Sequence, residues 1–218
     1  MQNDPFASAC NASVYRTAHS GTPCTSIWNN IARPLRTKWR IPLLIGEKAR
    51  ESPMHITMNL EDGFLPDEYG KYADPADCHG WSCRRSFPFE VTDIPAETKA
   101  LAFVFLDWDS VPVCGFPWIH WCAYANGPFN GFFALDDDAS RNGEGLIQGY
   151  NSAAQSEPER GTGYVGPCPP NADHVYTLRV MALDTPVDLA EPFWANELIA
   201  AARGHVLAET SVEMIGRC

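Results

Sequence analysis

The sequence predicts a β-rich domain with few helices, on three observations. Residues 100–107 (Ala-Leu-Ala-Phe-Val-Phe-Leu-Asp) form a near-continuous apolar run, as expected of a strand buried on both faces. Val175–Asp184 alternates, so that Tyr176, Leu178, Val180 and Ala182 share one face at period two. Gly, Pro and Asp gather between such runs, where turns belong. With 218 residues, 45% of them hydrophobic, the chain is long enough to bury roughly two-thirds or more of its unfolded surface in one domain.

The elements follow in order. Residues 1–53 hold seven Lys/Arg (Arg16, Arg33, Arg36, Lys38, Arg40, Lys48, Arg50) against three acids, whereas residues 54–218 hold nine against 24. The chain therefore divides into a basic N-terminal extension, 1–53, read as a loosely packed tail in preference to a docking arm, and an acidic domain, 54–218. His55–Leu60 alternates like a first strand, and Trp118–Ala125 follows the apolar run as a further strand. Residues 136–158 are polar, with Gly143, Gly145 and Gly149, and read as a long loop. One helix is expected late: Asp188 and Glu191 have capping-box spacing, Trp194, Leu198 and Ala201 share a face, and Gly204 supplies the stop. His205–Met214 reads as the last strand.

Composition excludes several function classes. The formal charge of -11 argues against nucleic-acid binding, which requires a basic surface to displace counterions from phosphates. The apolar stretch Ile41–Gly46 is far short of the roughly 20 residues of a spanning helix, so no integral membrane association is expected. Asp4 lies among polar residues where a secretory leader would be basic and then apolar. These features predict a soluble, cytoplasmic protein whose eight cysteines are mostly thiols.

Familiar catalytic and cofactor motifs are absent. Gly161–Gly166 matches GxGxxG, but Pro167-Cys168-Pro169-Pro170 follows, and prolines cannot open the helix that a dinucleotide site needs. No GxSxG, HExxH, P-loop lysine or CxxC occurs, and no cofactor is expected. Cys78-His79 with Cys83, and Cys114 with His120 and Cys122, contain ligands that zinc prefers, at spacings of no compact finger. Strand alternation would place His120 and Cys122 on one face in any case, so no metal is expected. Cys78–Cys83 and Cys114–Cys122 can also bridge under oxidation, a point the sequence leaves open.

The informative constellation is dispersed: Asp107-Trp108-Asp109, Trp118-Ile119-His120-Trp121, Tyr164–Pro170 and Asp173-His174-Val175-Tyr176. A carboxylate at a strand end can hold an imidazole by one nitrogen and leave the other facing a pocket. Two such histidines and a tyrosine hydroxyl suit a phosphate monoester or a carboxylate, and the proline-rich loop (Pro167, Cys168, Pro169) can wall the pocket. This set, in this order, resembles the phosphatidylethanolamine-binding protein family, which includes the Raf kinase inhibitor protein, and in particular its bacterial branch. The family's Asp-Pro-Asp appears as Asp107-Trp108-Asp109, its Tyr-x-Gly-Pro-Cys-Pro-Pro loop is complete as Tyr164–Pro170, and its His-Arg-Tyr becomes His174-Val175-Tyr176. Ala182-Leu183-Asp184 and Gly204–Ala208 match the bacterial branch.

The resemblance covers about Met54 to Gly216. It implies a large central antiparallel β-sheet packed on a smaller one, with a C-terminal helix near the pocket. It also implies an anion site made by Asp107, His120, the Cys168 backbone, His174 and Tyr176, with Asp109, Pro167 and Pro169 beside it. Val175 in the arginine position removes a basic residue from the pocket, Trp108 alters its rim, and a long segment between Gly149 and Gly161 is expected to cover part of its mouth. The implied function is a non-enzymatic binding protein for phosphate or a phospho-headgroup, modulating a protein partner such as a kinase or protease. Affinity is expected to fall above roughly pH 6.5 as His120 and His174 lose their charge. The competing readings are a hydrolase or lyase using Asp107 and His120 as an acid–base pair, and a thiol- or metal-responsive protein.

Overall fold

The computed structural model describes residues 54–218; the basic extension, 1–53, lies outside the described residues. In chain order the elements are β1 (His55–Thr57), β2 (Cys78–His79), β3 (Ser82–Cys83), β4 (Phe89–Thr92), β5 (Ala100–Asp107), α1 (Val111–Cys114), β6 (Trp118–Asn126), β7 (Phe132–Leu135), α2 (Ala139–Asn142), β8 (Ile147–Gln148), β9 (His174–Leu183), α3 (Ala195–Ala202) and β10 (Val206–Gly216). Short 3-10 turns complete the connections. A five-stranded antiparallel sheet runs β10-β9-β5-β6-β8, a three-stranded one runs β1-β4-β7, and β2-β3 is a separate hairpin.

Strand β5 is central because both its faces are apolar. Leu101, Phe103 and Phe105 meet Phe89, Val91 and Leu135 of the smaller sheet, together with Trp121, Leu178 and Val180. Ala100, Ala102 and Val104 face the other way, onto Cys122, Met181, Phe193 and Leu198. The alternation read in Val175–Asp184 puts Tyr176, Leu178, Val180 and Ala182 in the first of these cores.

Four local expectations change. The strand expected over His55–Leu60 ends at Thr57. Asp62 and Gly63 both take positive φ (51° and 88°) in a tight turn closed by Glu61–Phe64 hydrogen bonds, and Leu65 then donates to the Ile215 carbonyl. The polar stretch 136–158 is structured, carrying α2 and then β8, which extends the large sheet beside β6. The late helix starts at Ala195. Glu191 accepts from Gln148 N, so the N-terminal cap falls to Glu197, whose carboxylate accepts from Trp194 N at 2.7 Å. This helix packs Leu198 onto the face of the large sheet that carries Cys122 and Met181.

The fourth change bears on function. Phe105 stands opposite Trp121 while Leu106 stands opposite Ile119, so His120 is the extra residue of a β-bulge. The bulge breaks the period of two. His120 and Trp121, though consecutive, both turn toward the first core, where His120 meets Phe105 and Tyr176, and Cys122 goes to the second. His120 and Cys122 therefore do not share a face.

Candidate functional site

Antiparallel pairing brings the site together. The C-terminal end of β5 lies beside the starts of β6 and β9, with Asp107 opposite both Trp118 and Tyr176. Asp107 is buried and its carboxylate is fully engaged. Oδ1 accepts from Ser110 N at 3.0 Å and Oδ2 accepts from His174 Nδ1 at 2.8 Å, with Tyr176 standing opposite Asp107 on β9. Burial and this carboxylate hold the Tyr176 phenol well above its ordinary range, so it stays an O–H donor. Ser110 Oγ donates to the Asp107 carbonyl at 2.7 Å and accepts from Trp118 N at 2.9 Å, which locks the turn leading into α1. His174 Nε2 lies 3.0 Å from Asn171 Oδ1, so both of its ring nitrogens have protein partners.

His120 is held differently. Its Nδ1 donates to the Val165 carbonyl at 2.8 Å, and Val165 N returns a bond to the His120 carbonyl at 2.9 Å. A carbonyl can only accept, so the ring proton is fixed on Nδ1 and Nε2 keeps its lone pair. Among the described residues no protein group bonds Nε2. His120 is 3% exposed, and burial pushes its pKa down to about 4 against the opposing influence of the Val165 bond and the Asp107 charge. The ring is therefore neutral at neutral pH.

This has a thermodynamic consequence. Between about pH 6.5 and about 4 the unfolded chain binds a proton at His120 that the folded chain refuses. Stability is thus fully present above the unfolded pKa and declines as pH falls through this window, by about 3 kcal/mol in all. Denaturant midpoints of the wild type and His120→Asn across that range check it. Asparagine places its Nδ2 where histidine has Nδ1, so the Val165 bond is kept while the titration is lost, and the acid-side decline is expected to shrink by that amount.

The loop Tyr164–Pro170 forms the opposite wall. Tyr164 donates to the Tyr69 carbonyl at 2.6 Å, and Gly166 N donates to the Cys83 carbonyl at 2.9 Å. The enclosed cavity is small, about 20 Å³, room for about one water. It is lined by Asp107, Ser110, Val113, Cys114, Trp118, His120, Cys168, Pro169, Pro170, His174 and Tyr176.

Six of the eight residues singled out from sequence therefore surround one cavity: Asp107, His120, Cys168, Pro169, His174 and Tyr176. Two do not. Asp109 turns its carboxylate to Val175 N at 2.8 Å and pins the start of β9, and Pro167 lines a separate depression with Gly70 and Gly216. Ser110, Val113 and Cys114 also line it and were missed, whereas Trp118 and Pro170 had entered only with the segments that contain them. The signal for the first three was Ser110-Val111-Pro112, a polar residue and a proline opening a one-turn helix.

Other expectations are corrected. No residue of α3 lines the cavity, and neither does any residue of 149–161, which runs beside β6 with Ser152 Oγ accepting from Ile119 N at 2.8 Å. Asp107 hydrogen-bonds His174, not His120. Cys114 donates to the Ser110 and Phe116 carbonyls, whereas Cys122 lies across the sheet and donates to Tyr150 O. Among the described residues, no three His, Cys, Asp or Glu side chains are placed to hold a metal ion.

Residues 57–216 match the family model described as phosphatidylethanolamine-binding protein. The Bacillus subtilis (strain 168) protein YxkA is 42% identical over 160 residues, covering 71% of this chain and 94% of its own length. A UPF0098 protein of Methanothermobacter thermautotrophicus is 34% identical over 156 residues, covering 71% and 95%. A crystal structure of a putative phosphatidylethanolamine-binding protein homologue, CT736 of Chlamydia trachomatis, superposes with a TM-score of 0.57 at 28% identity, over 77% of this chain and 97% of that one. That of YbcL from E. coli, with a TM-score of 0.59 at 20% identity over 76% and 98%, shares the fold. No helix among the described residues is long and apolar enough to cross a membrane.

Proposed function

The chain belongs to the phosphatidylethanolamine-binding protein family, and on that premise we propose that it is a non-enzymatic binding protein whose pocket takes one acidic oxygen of a phosphate or phospho-headgroup. The observation that carries this reading is His120 Nε2, a buried acceptor in a residue that lines the cavity, on a ring fixed by Val165. The cavity of about 20 Å³ has room for about one oxygen and leaves the rest of the ligand at the mouth. A protein partner of the kind the family resemblance implies would be met at the rim, where Trp108, Val111 and Phe116 are exposed.

A neutral acceptor changes the expected chemistry of recognition. An anion cannot donate to Nε2 unless it brings a proton, either on its own oxygen or transferred to the ring. Binding then takes up a proton. Because a phosphate monoester has its second pKa near about 6, affinity is expected to fall up to about tenfold per pH unit above it. The direction agrees with the sequence-based expectation, but the cause lies in the ligand's proton and not in two charged histidines.

Calorimetric titration with phosphoethanolamine, in buffers of different ionisation enthalpy, tests the reading. Proton uptake by the wild type and at least about tenfold weaker binding by His120→Asn are expected, since a hydrogen bond to a charged group contributes about 1.5–3 kcal/mol. Equal affinity in the variant would sink it.

A further inference from the structure

Cys78 and Cys83 face one another across the hairpin β2–β3, which turns through Gly80-Trp81. The next pair outward is hydrogen-bonded, Arg84 N to the Asp77 carbonyl at 2.8 Å. The cysteines therefore occupy the non-hydrogen-bonded position between that pair and the turn. At such a position Cα atoms lie about 4.5 Å apart with their side chains adjacent, inside the range that a disulfide spans. The Cys83 thiol donates to the Glu68 and Arg85 carbonyls at 3.4 and 3.7 Å. Cys78 is half-buried and Cys83 buried, which gives the pair an outer and an inner member.

We propose that Cys78 and Cys83 are a disulfide-forming pair, closed by exchange with a small-molecule disulfide, and that the bridge stiffens the wall of the cavity. Cys78 reacts first. Its thiolate attacks one sulfur of the reagent, forms a mixed disulfide and releases one reagent thiol. Cys83 then attacks Cys78 Sγ and releases the second. The two cysteines are oxidised, the reagent is reduced to two thiols, and the two cysteine protons are taken up by the departing thiolates.

The link to the pocket is the Cys83 backbone. Its carbonyl accepts from Gly166 N at 2.9 Å, and the contact is so close that a Cβ on Gly166 would lie 2.8 Å from Cys83 Cβ. Gly166 belongs to the loop that carries Cys168, Pro169 and Pro170 into the cavity wall. A bridge that removes motion from Cys83 therefore removes it from the base of that loop. Burial raises both thiols, Cys83 to about 12, and the Asp77 charge adds to the rise at Cys78. Closure is accordingly slow at neutral pH, and its rate keeps climbing where an ordinary thiol, with a pKa near about 8.5, levels off.

The test is incubation of the full chain with oxidised glutathione, followed by peptide mapping by mass spectrometry and amide hydrogen exchange. The proposal expects a Cys78–Cys83 link, a loss of two hydrogen atoms from the peptide pair, a rate still rising through alkaline pH, and slower exchange at Gly166. Cys83→Ser is expected to hold glutathione on Cys78. Should that core variant fail to fold, Cys78→Ser serves, and Cys83 is then expected to remain unmodified. A glutathione adduct that persists on Cys78 of the wild type, a bridge to a different cysteine, or unchanged exchange at Gly166 would each overturn the proposal. None of these outcomes depends on what the cavity binds.

Discussion

Asp107→Ala is expected to cost about 3–5 kcal/mol of folding stability, the range for breaking a buried pair by removing one partner. Two donors converge on this carboxylate, Ser110 N and His174 Nδ1. Alanine leaves both buried without that acceptor, and each orphan carries its own desolvation cost. Asp107→Asn separates charge from geometry, since one oxygen remains to accept while the other becomes a competing donor, and a smaller loss is expected. Urea denaturation of the two variants at neutral pH checks the order. A loss below about 1 kcal/mol for alanine, the level of an exposed ion pair, would mean that the carboxylate does not organise this end of the sheet.

Trp121→Ala is expected to have an effect of similar size, about 3–5 kcal/mol. The ring is 0% exposed and meets Phe103, Tyr164 and Phe87 edge to face, at centroid distances of 4.8, 5.6 and 6.1 Å. Its Nε1 donates to Gln148 Oε1 at 2.8 Å, an oxygen that also accepts from Ser140 Oγ. Truncation thus opens a cavity between the sheets and loosens the tie between β6 and β8. Trp121→Phe retains most of the packing and loses the hydrogen bond, for an expected loss of about 1–2 kcal/mol. The denaturant midpoints of the two variants, set beside the wild type, give both numbers. The placement of Trp121 follows from the bulge at His120, so the same experiment examines the local geometry of the site.

What the sequence made legible follows from which interactions are periodic. Strand β5 was readable because a strand covered on both sides must be apolar throughout, and β9 because one of its faces enters the core that both sheets share. The site was readable through a resemblance spread over four segments, which antiparallel pairing of β5, β6 and β9 then brings to one end of the sheet. The bulge at His120 was not readable. It changes which face a residue occupies without requiring any particular residue type, and it separates His120 from Cys122. Nor was the division of labour between the two histidines. That division depends on which acceptor each Nδ1 finds, Val165 O for His120 and Asp107 Oδ2 for His174. The start of α3 was misplaced because Glu191 and Glu197 offer equivalent carboxylates, and only the fold decides which one caps the helix.

Central to the proposed function is a buried, neutral His120 whose Nε2, bonded by no group among the described residues, accepts from a proton-bearing acid. Nitrogen-15 NMR of the histidine side chains, during titration with phosphoethanolamine at about pH 6 and again about two units higher, reads this directly, because the ligand's second pKa lies near the lower value. The expected result is a saturable shift of His120 Nε2 from the range of an unprotonated nitrogen toward that of a hydrogen-bonded or protonated one, with weaker affinity at the higher pH. A His120 Nε2 signal that stays in place at saturating ligand, or a shift confined to the exposed His55, His79 and His205, would contradict it.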